Sequence, residues 1–219
     1  AVIQRRLFAV GSGFFLLSPL TVMGQDRGMD LITEASRQYA SVSTICADFS
    51  QHLMNRLLRQ ERSGAGRLCQ ARPNLFAMRF TDPEGDVIVA DGESVWYYVP
   101  SNDDKQAFRG SIDQSAGGPD FHREFLYEPE TKYDVTYEAA DEVAGVETHR
   151  LSLVPLERTS YRSAVLWLDR RGLVLRQVRI TEENGNERTI TLRGVNFDAA
   201  VPVDWFIFTP PPGVLVISR

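Results

Sequence analysis

The sequence predicts a mainly β fold with a few helices, of the α+β class. Three observations lead there: one amphipathic helical stretch near the start, a long succession of short apolar stretches divided by turn residues, and a single polar excursion between its two halves.

The helical stretch is "GMDLITEASRQYASVS", where Met29, Ile32, Ala35, Tyr39 and Val42 recur three or four apart and form one face. From Ile45 onward the spacing changes to alternating or doubly apolar runs, the pattern of an antiparallel sheet. The clearest hairpin is "DVIVADGESVWYYVP". Asp91 and Gly92 suit the centre of a two-residue turn, which would pair Ile88 with Val95. Ile88, Ala90, Val95, Tyr97 and Val99 then share one face, and Val87, Val89, Trp96 and Tyr98 the other, so both faces need cover. The second half continues with "HRLSLVP", "SAVLWLD", "LVLRQVRIT", "ERTITLRGVNF" and "DWFIFTPPPGVLVIS", broken at "RRG" and "ENGN", which reads as a large meandering sheet. "EENGNE" lacks the spacing of a calcium loop and is read as a hairpin turn.

Residues 101–133 form the excursion, polar and glycine-bearing. After Pro119, the residues Phe121, Phe125 and Leu126 stand at helical spacing and predict a short helix. Connections of this length are commonly lids or binding loops. In "ARPNLFAMRF", residues 72, 74, 76, 78 and 80 of one extended strand would project the same way, putting Arg72 at the rim of an apolar face.

A chain of 219 residues with a formal charge of −5 suits one medium domain and argues against nucleic acid as a partner. Lys105 and Lys132 are the only lysines, so no arginine is significant by type alone. At the N-terminus, Arg5 and Arg6 precede an apolar run from Leu7 to Leu20 and then "TVMGQ", which reads as a signal peptide spanning 1–24 and leaves one domain at 25–219. The run, about fourteen residues and interrupted by Gly11, Gly13 and Pro19, is short of the roughly twenty that span a bilayer. "RRLFAV" also resembles a twin-arginine export signal, with Gln4 where Ser or Thr is usual. No cysteine lies near the expected cleavage site, so the mature chain is expected to be soluble. Cys46 and Cys69 could bridge the first hairpin in an oxidising compartment, and two buried free thiols would look the same in sequence.

Catalytic signatures are missing. His52, His122 and His149 form no HExxH pair, there is no GxSxG, Walker or CxxC motif, and Asp103 with Asp104 reads as solvated surface. No catalytic residue, metal or cofactor is expected. A concave sheet with an apolar inner face, closed by helices, would instead form a pocket suited to hydrocarbon.

In combination, "ADFSQ" (47–51), "SGAGRL" (63–68), "RPNLF" (72–76), "DGESVWYYVP" (91–100), "LVP" before "SAVLWLD", "ENGN" and "FIFTPPPGVLVIS" resemble the outer-membrane lipoprotein carrier (LolA) family, from about residue 29 to 218. The resemblance implies an open half-barrel of antiparallel strands covered by a helical lid. It implies a periplasmic, monomeric chaperone that takes triacylated lipoproteins from an inner-membrane ABC transporter to an outer-membrane receptor. The family's important arginine falls on Arg72, expected to latch the lid backbone. Phe121, Phe125 and Leu126 would form the lid, and Phe76, Met78, Phe80, Ile88, Val95, Tyr97 and Val178 would line the acyl-chain cavity. Two departures touch docking surfaces: Leu215 stands where an acidic residue is common, and "NRLLRQER" lacks the usual glycine-rich turn. A lipid-binding or envelope-stress sensing module of the same fold is the alternative reading.

Overall fold

Residues 20–112 and 120–218 are described in the computed structural model, with side chains from Asp26 onward. The signal-peptide reading of 1–24 thus falls mostly outside the described residues. The first helix, α1 (Leu20–Ala40), begins before its expected end. No helix among the described residues is long and apolar enough to cross a membrane.

Twelve strands follow among the described residues: β1 (Thr44–Asn55), β2 (Gln60–Ala71), β3 (Leu75–Asp82), β4 (Glu84–Asp91), β5 (Ser94–Tyr98), β6 (Gln106–Ser111), β7 (Tyr133–Val143), β8 (Val146–Pro155), β9 (Tyr161–Asp169), β10 (Leu175–Glu182), β11 (Glu187–Phe197) and β12 (Leu215–Ser218). Two short helices, α2 (Phe121–Leu126) and α3 (Pro129–Lys132), lie between β6 and β7. All strands belong to one sheet in the order β12-β6-β5-β4-β3-β2-β1-β11-β10-β9-β8-β7. Two meanders, β1–β6 and β7–β11, are therefore welded along the antiparallel β1/β11 pair.

The sheet is rolled but not closed. Phe121 of α2 meets Phe76 of β3 edge to face at 6.2 Å, while Phe125 meets Tyr133 of β7 at 6.0 Å and Tyr161 of β9 at 5.9 Å. β3 and β7 stand seven places apart in the sheet, roughly 30–35 Å if it were flat, and a helix is only about 10–12 Å across. The strands must curve around α2 for one short helix to touch both. The edges β7 and β12 do not pair with each other. Instead α1 packs on β7, so closely that a Cβ on Gly28 would lie 2.7 Å from the Tyr137 amide nitrogen.

Because the strands are apolar on both sides, two cores form. The concave face carries Ile45, Phe49, Phe76, Met78, Val178 and Ile190, covered by Ile32, Ala35 and Tyr39 of α1 and by α2. The convex face carries Cys46, Cys69, Ala77, Val87 and Val89 under Phe206. Cys46 and Cys69 occupy paired positions of β1 and β2 and are joined as a disulfide, which resolves the open choice in favour of the bridge. The cover on that side is the chain after β11, a strap through a 3-10 turn at Val203–Phe206. Arg79 holds it, donating to the carbonyls of Trp205 at 2.9 Å and Ile207 at 3.0 Å.

Four expectations change. The segment 101–133 is not one excursion, because Gln106–Ser111 forms β6 and extends the sheet. "DWFIFTPPPGVLVIS" is not one strand. Only Leu215–Ser218 pairs, parallel to β6, and the preceding residues form the strap. Asp91 ends β4, and its carboxylate accepts from the Glu93 and Ser94 amides and the Trp96 indole. The pairing is consequently Ile88 with Tyr97 and Ala90 with Val95, two residues from the expected register, which leaves every side chain on its expected face. Finally, Arg72 lies in the β2–β3 turn rather than in a strand.

The glycines of "SGAGRL" have a packing reason. On β2, a Cβ at Gly64 would meet the Phe80 ring at 3.1 Å and the Asp82 carbonyl oxygen at 3.2 Å, whereas one at Gly66 would meet the Arg79 carbonyl oxygen at 2.1 Å. A few tenths of an ångström relieve the first pair of contacts, and no such adjustment relieves the last. Gly66→Ala is therefore expected to cost about 2–3 kcal/mol or more in urea unfolding, the range of forced overpacking, and Gly64→Ala clearly less.

Candidate functional site: a lidded apolar hollow

The concave face, its helices and the rim that fastens them form the candidate site. α2 places Phe121, Phe125 and Leu126 inward, each at most 3% exposed, against the concave strands. Its N-terminus is capped by Asp120, whose carboxylate accepts from the Arg123 amide at 3.0 Å.

Arg72 bonds to α1, not to α2. Its Nε donates to the Val42 carbonyl and an Nη to the Tyr39 carbonyl, each at 2.8 Å, and its guanidinium lies 4.9 Å from the centre of the Tyr39 ring. Tyr39 lies in the last turn of α1, where carbonyls run short of intrahelical partners and the helix dipole favours a cation, and Val42 follows two residues beyond the helix. The rigid five-donor fork of arginine can serve both at once. Hydrogen bonds from a charged donor contribute about 1.5–3 kcal/mol when shielded, and the exposed setting here places this pair near the low end. The same turn also grips α2, because Asn74 accepts from the Arg123 guanidinium at 2.8 Å. The "RPN" turn thus touches both covering helices.

On the opposite side the cover is held by a polar knot. The hydroxyls of Tyr133 and Tyr161 lie 2.7 Å apart, and both donate to the Glu124 carboxylate, while Lys132 donates to the Glu124 carbonyl. Around the lid, then, polar groups fasten the rim, and beneath it the contacts are apolar.

His122 is the exception beneath the lid. It is 2% exposed, stacks on Tyr39 at 5.4 Å, and neither ring nitrogen has a hydrogen-bond partner among the described residues. Burial pushes its pKa down to about 4. Burial also pushes Asp120 up to about 6, against the pull of the Arg123 amide and the Arg123 and Arg72 charges. The lid's first residues therefore include one group that resists protonation and one that resists ionisation.

Open volume remains on both sides of the lid. A space of about 300 Å³ lies between α1, α2 and the β9–β10 turn, lined by Tyr39, Val42, His122, Leu126, Leu173 and Leu175. At the far end of the strands, a groove of about 490 Å³ runs along Leu53, Phe80, Ile88, Tyr97 and Val99, with Arg62 and Arg188 also in its wall. Both fall near or within the size range of small-molecule pockets.

Phe76, Met78, Val95 and Val178 lie fully buried in the concave core, and Phe80, Ile88 and Tyr97 are partly exposed along the groove. The structure brings all seven to one face. Sequence reading missed Asn74, Glu124, Tyr133 and Tyr161, whose roles depend on long-range pairing. It also missed Leu53, for which alternation with Phe49 and Gln51 along β1 was an available signal. Among the described residues, no group of three or more His, Cys, Asp or Glu could hold a metal ion.

Comparison with known proteins follows the same lines. The family model described as "Outer membrane lipoprotein carrier protein LolA" matches residues 40–209. The outer-membrane lipoprotein carrier protein of Haemophilus ducreyi is 30% identical over 86% of this chain and 85% of its own length. That of Chromobacterium violaceum is 29% identical over 80% and 81%. An uncharacterized conserved protein from Thermus thermophilus shares the fold, with a TM-score of 0.55 at 12% identity, covering 87% of this chain and 99% of that one. The welded, rolled sheet with its apolar hollow is therefore that of an established carrier family, and the chain belongs to the outer-membrane lipoprotein carrier (LolA) family.

Proposed function

We propose that this protein carries triacylated lipoproteins through the periplasm as a soluble monomer, receiving them from an inner-membrane ABC transporter and delivering them to an outer-membrane receptor. Its hollow shelters the acyl chains, and no bond is made or broken. The observation that carries the reading is the division of labour at the lid: polar fasteners at the rim, and apolar contact underneath with Phe121 and Phe125.

That division suits a carrier that must both hold and release. Burying an acyl chain is worth about 0.8 kcal/mol per CH₂, so a rigid, fitted hollow for several chains would retain its cargo. A lid whose own rings occupy the apolar face competes for that surface and lowers the net affinity. The entering chains displace Phe121, Phe125 and Leu126 and spread over Phe76, Met78, Val95 and Val178, with Phe80, Ile88 and Tyr97 continuing the path. Arg72 and Asn74 set how readily the cover moves. Mass spectrometry of species copurified from the periplasm tests the cargo: triacylated lipoprotein is the expected find, and an unrelated lipid would favour a sensing module of the same fold.

Replacing Arg72 by Leu leaves the Tyr39 carbonyl, in the last turn of α1, and the Val42 carbonyl just beyond it without their charged donor. Faster hydrogen exchange in residues 38–44 and slower transfer of acylated cargo to an acceptor are expected, and unchanged exchange and transfer would remove Arg72 from the latch.

Stability between pH 7 and pH 5 probes the lid's buried pair. The depressed pKa of His122 means the unfolded chain takes up a proton the folded one refuses, so its share of stability is lost as pH falls from about 6.5 towards 4. Asp120 acts oppositely: its raised pKa penalises the folded state increasingly as pH rises from 3.8 to about 6, and that penalty lifts on acidification through the same range. The two largely cancel in the wild type. Asp120→Asn is expected to lose more stability from pH 7 to pH 5 than the wild type does, and His122→Leu less, in parallel urea melts.

A further inference from the structure

The far end of the hollow, away from the lid, has a chemistry that shelter of neutral acyl chains does not require. Leu53 of β1 is paired with Arg62 on β2 and with Arg188 on β11. Strand alternation puts these three on the concave face, the face of Phe49 and Ile190, in one row across the sheet. Two guanidinium groups thus flank one leucine at the mouth of the 490 Å³ groove. Neither arginine makes an ion pair or a side-chain hydrogen bond among the described residues.

The nearby carboxylates are engaged elsewhere: Glu182, which shares an adjoining space with Leu53, Arg62 and Arg188, accepts from the side-chain amides of Asn184 and Asn186. Glu61 and Glu187 alternate to the convex side, engaged with His52 and Arg56. Asp86 is in the groove wall, but it is 5% exposed and both its oxygens accept from Ser101, from the amide at 3.0 Å and the hydroxyl at 2.6 Å. The groove continues from the arginines along Phe80, Ile88, Tyr97 and Val99, where burial raises the pKa of the Tyr97 hydroxyl against the pull of the Arg188 charge.

We propose that the open end of the hollow binds the anionic head of an acyl amphiphile, phosphate or carboxylate, between Arg62 and Arg188, with its chain along Leu53, Phe80, Ile88 and Tyr97. The inference rests on the reading of the hollow as an acyl-chain site and adds a charged terminus to it. Guanidinium forks match phosphate and carboxylate oxygens in two-point hydrogen bonds, and an arginine beside an apolar wall sheds little hydration to do so. A single amphiphile so held would lie with its head at the mouth and its tail directed towards the lid.

Calorimetric titration of the delipidated full chain, below micelle-forming concentrations, compares palmitoyl lysophosphatidylglycerol, palmitate and neutral monopalmitoylglycerol. At least one anionic probe is expected to bind ten-fold or more tightly than the neutral one, with the advantage shrinking as salt is raised. Which of the two leads identifies phosphate or carboxylate as the preferred head. The double variant Arg62→Gln/Arg188→Gln is expected to erase the advantage while leaving monopalmitoylglycerol within two-fold, and Arg62→Lys/Arg188→Lys to keep most of it. Equal binding of charged and neutral probes by the wild type would overturn the inference and leave the acyl site standing. Loss of neutral binding in the double Gln variant would assign the arginines a structural role instead. Failure of every probe to bind would overturn the acyl site and the inference together.

Discussion

A sheet that is apolar on both faces has to be covered on both faces, and the two covers of this protein are built differently. On the convex side the cover is a strap of the chain's own C-terminal segment, with Phe206 sunk into the sheet and Arg79 holding two strap carbonyls. The disulfide between Cys46 and Cys69 lies in the same layer. On the concave side the cover is helical, and α2 is a helix of six residues. So short a helix has little stability of its own. Its position depends on Phe121 and Phe125 below and on the rim contacts around it. The carrier role proposed here asks the first cover to stay and the second to exchange.

The proposed exchange depends on the rolling of the sheet. A flat sheet would offer α2 one or two strands, while the rolled one surrounds it, so that β3, β7 and β9 all touch its aromatic residues. Lifting α2 would therefore leave a concavity rather than a plane, and a hydrocarbon chain in it would be enclosed on several sides. The closeness of Gly28 in α1 to the β7 backbone stiffens one edge of that concavity. In the proposed role the lid would move against that wall.

Much of this architecture is legible in the order of the residues alone. Alternation in "DVIVADGESVWYYVP" marks a two-faced ribbon, and its faces survive a register two residues from the expected one because side chains repeat every two. The spacing of Phe121, Phe125 and Leu126 marks the lid helix. β6 was hidden because "QAFRGS" is polar enough to pass for loop, and its strand character comes from pairing with β5 and β12. The strap was hidden because its aromatic residues mimic a strand, while Pro202 and the run Pro210–Pro212 remove the amides a ladder needs. Arg72 stands out by position, but its partners at Tyr39 and Val42 are some thirty residues away along the chain, a distance no local pattern spans.

The account stands or falls on whether acyl chains take the place of the lid's own rings. Spin labels at the exposed positions Tyr127, beside α2, and Thr81, on β3, report the separation of lid and wall in solution. Saturation with a triacylated lipopeptide is predicted to lengthen and broaden that distance distribution. An unchanged distribution with the lipopeptide bound would mean that the chains lodge elsewhere and that the lid is a permanent part of the core.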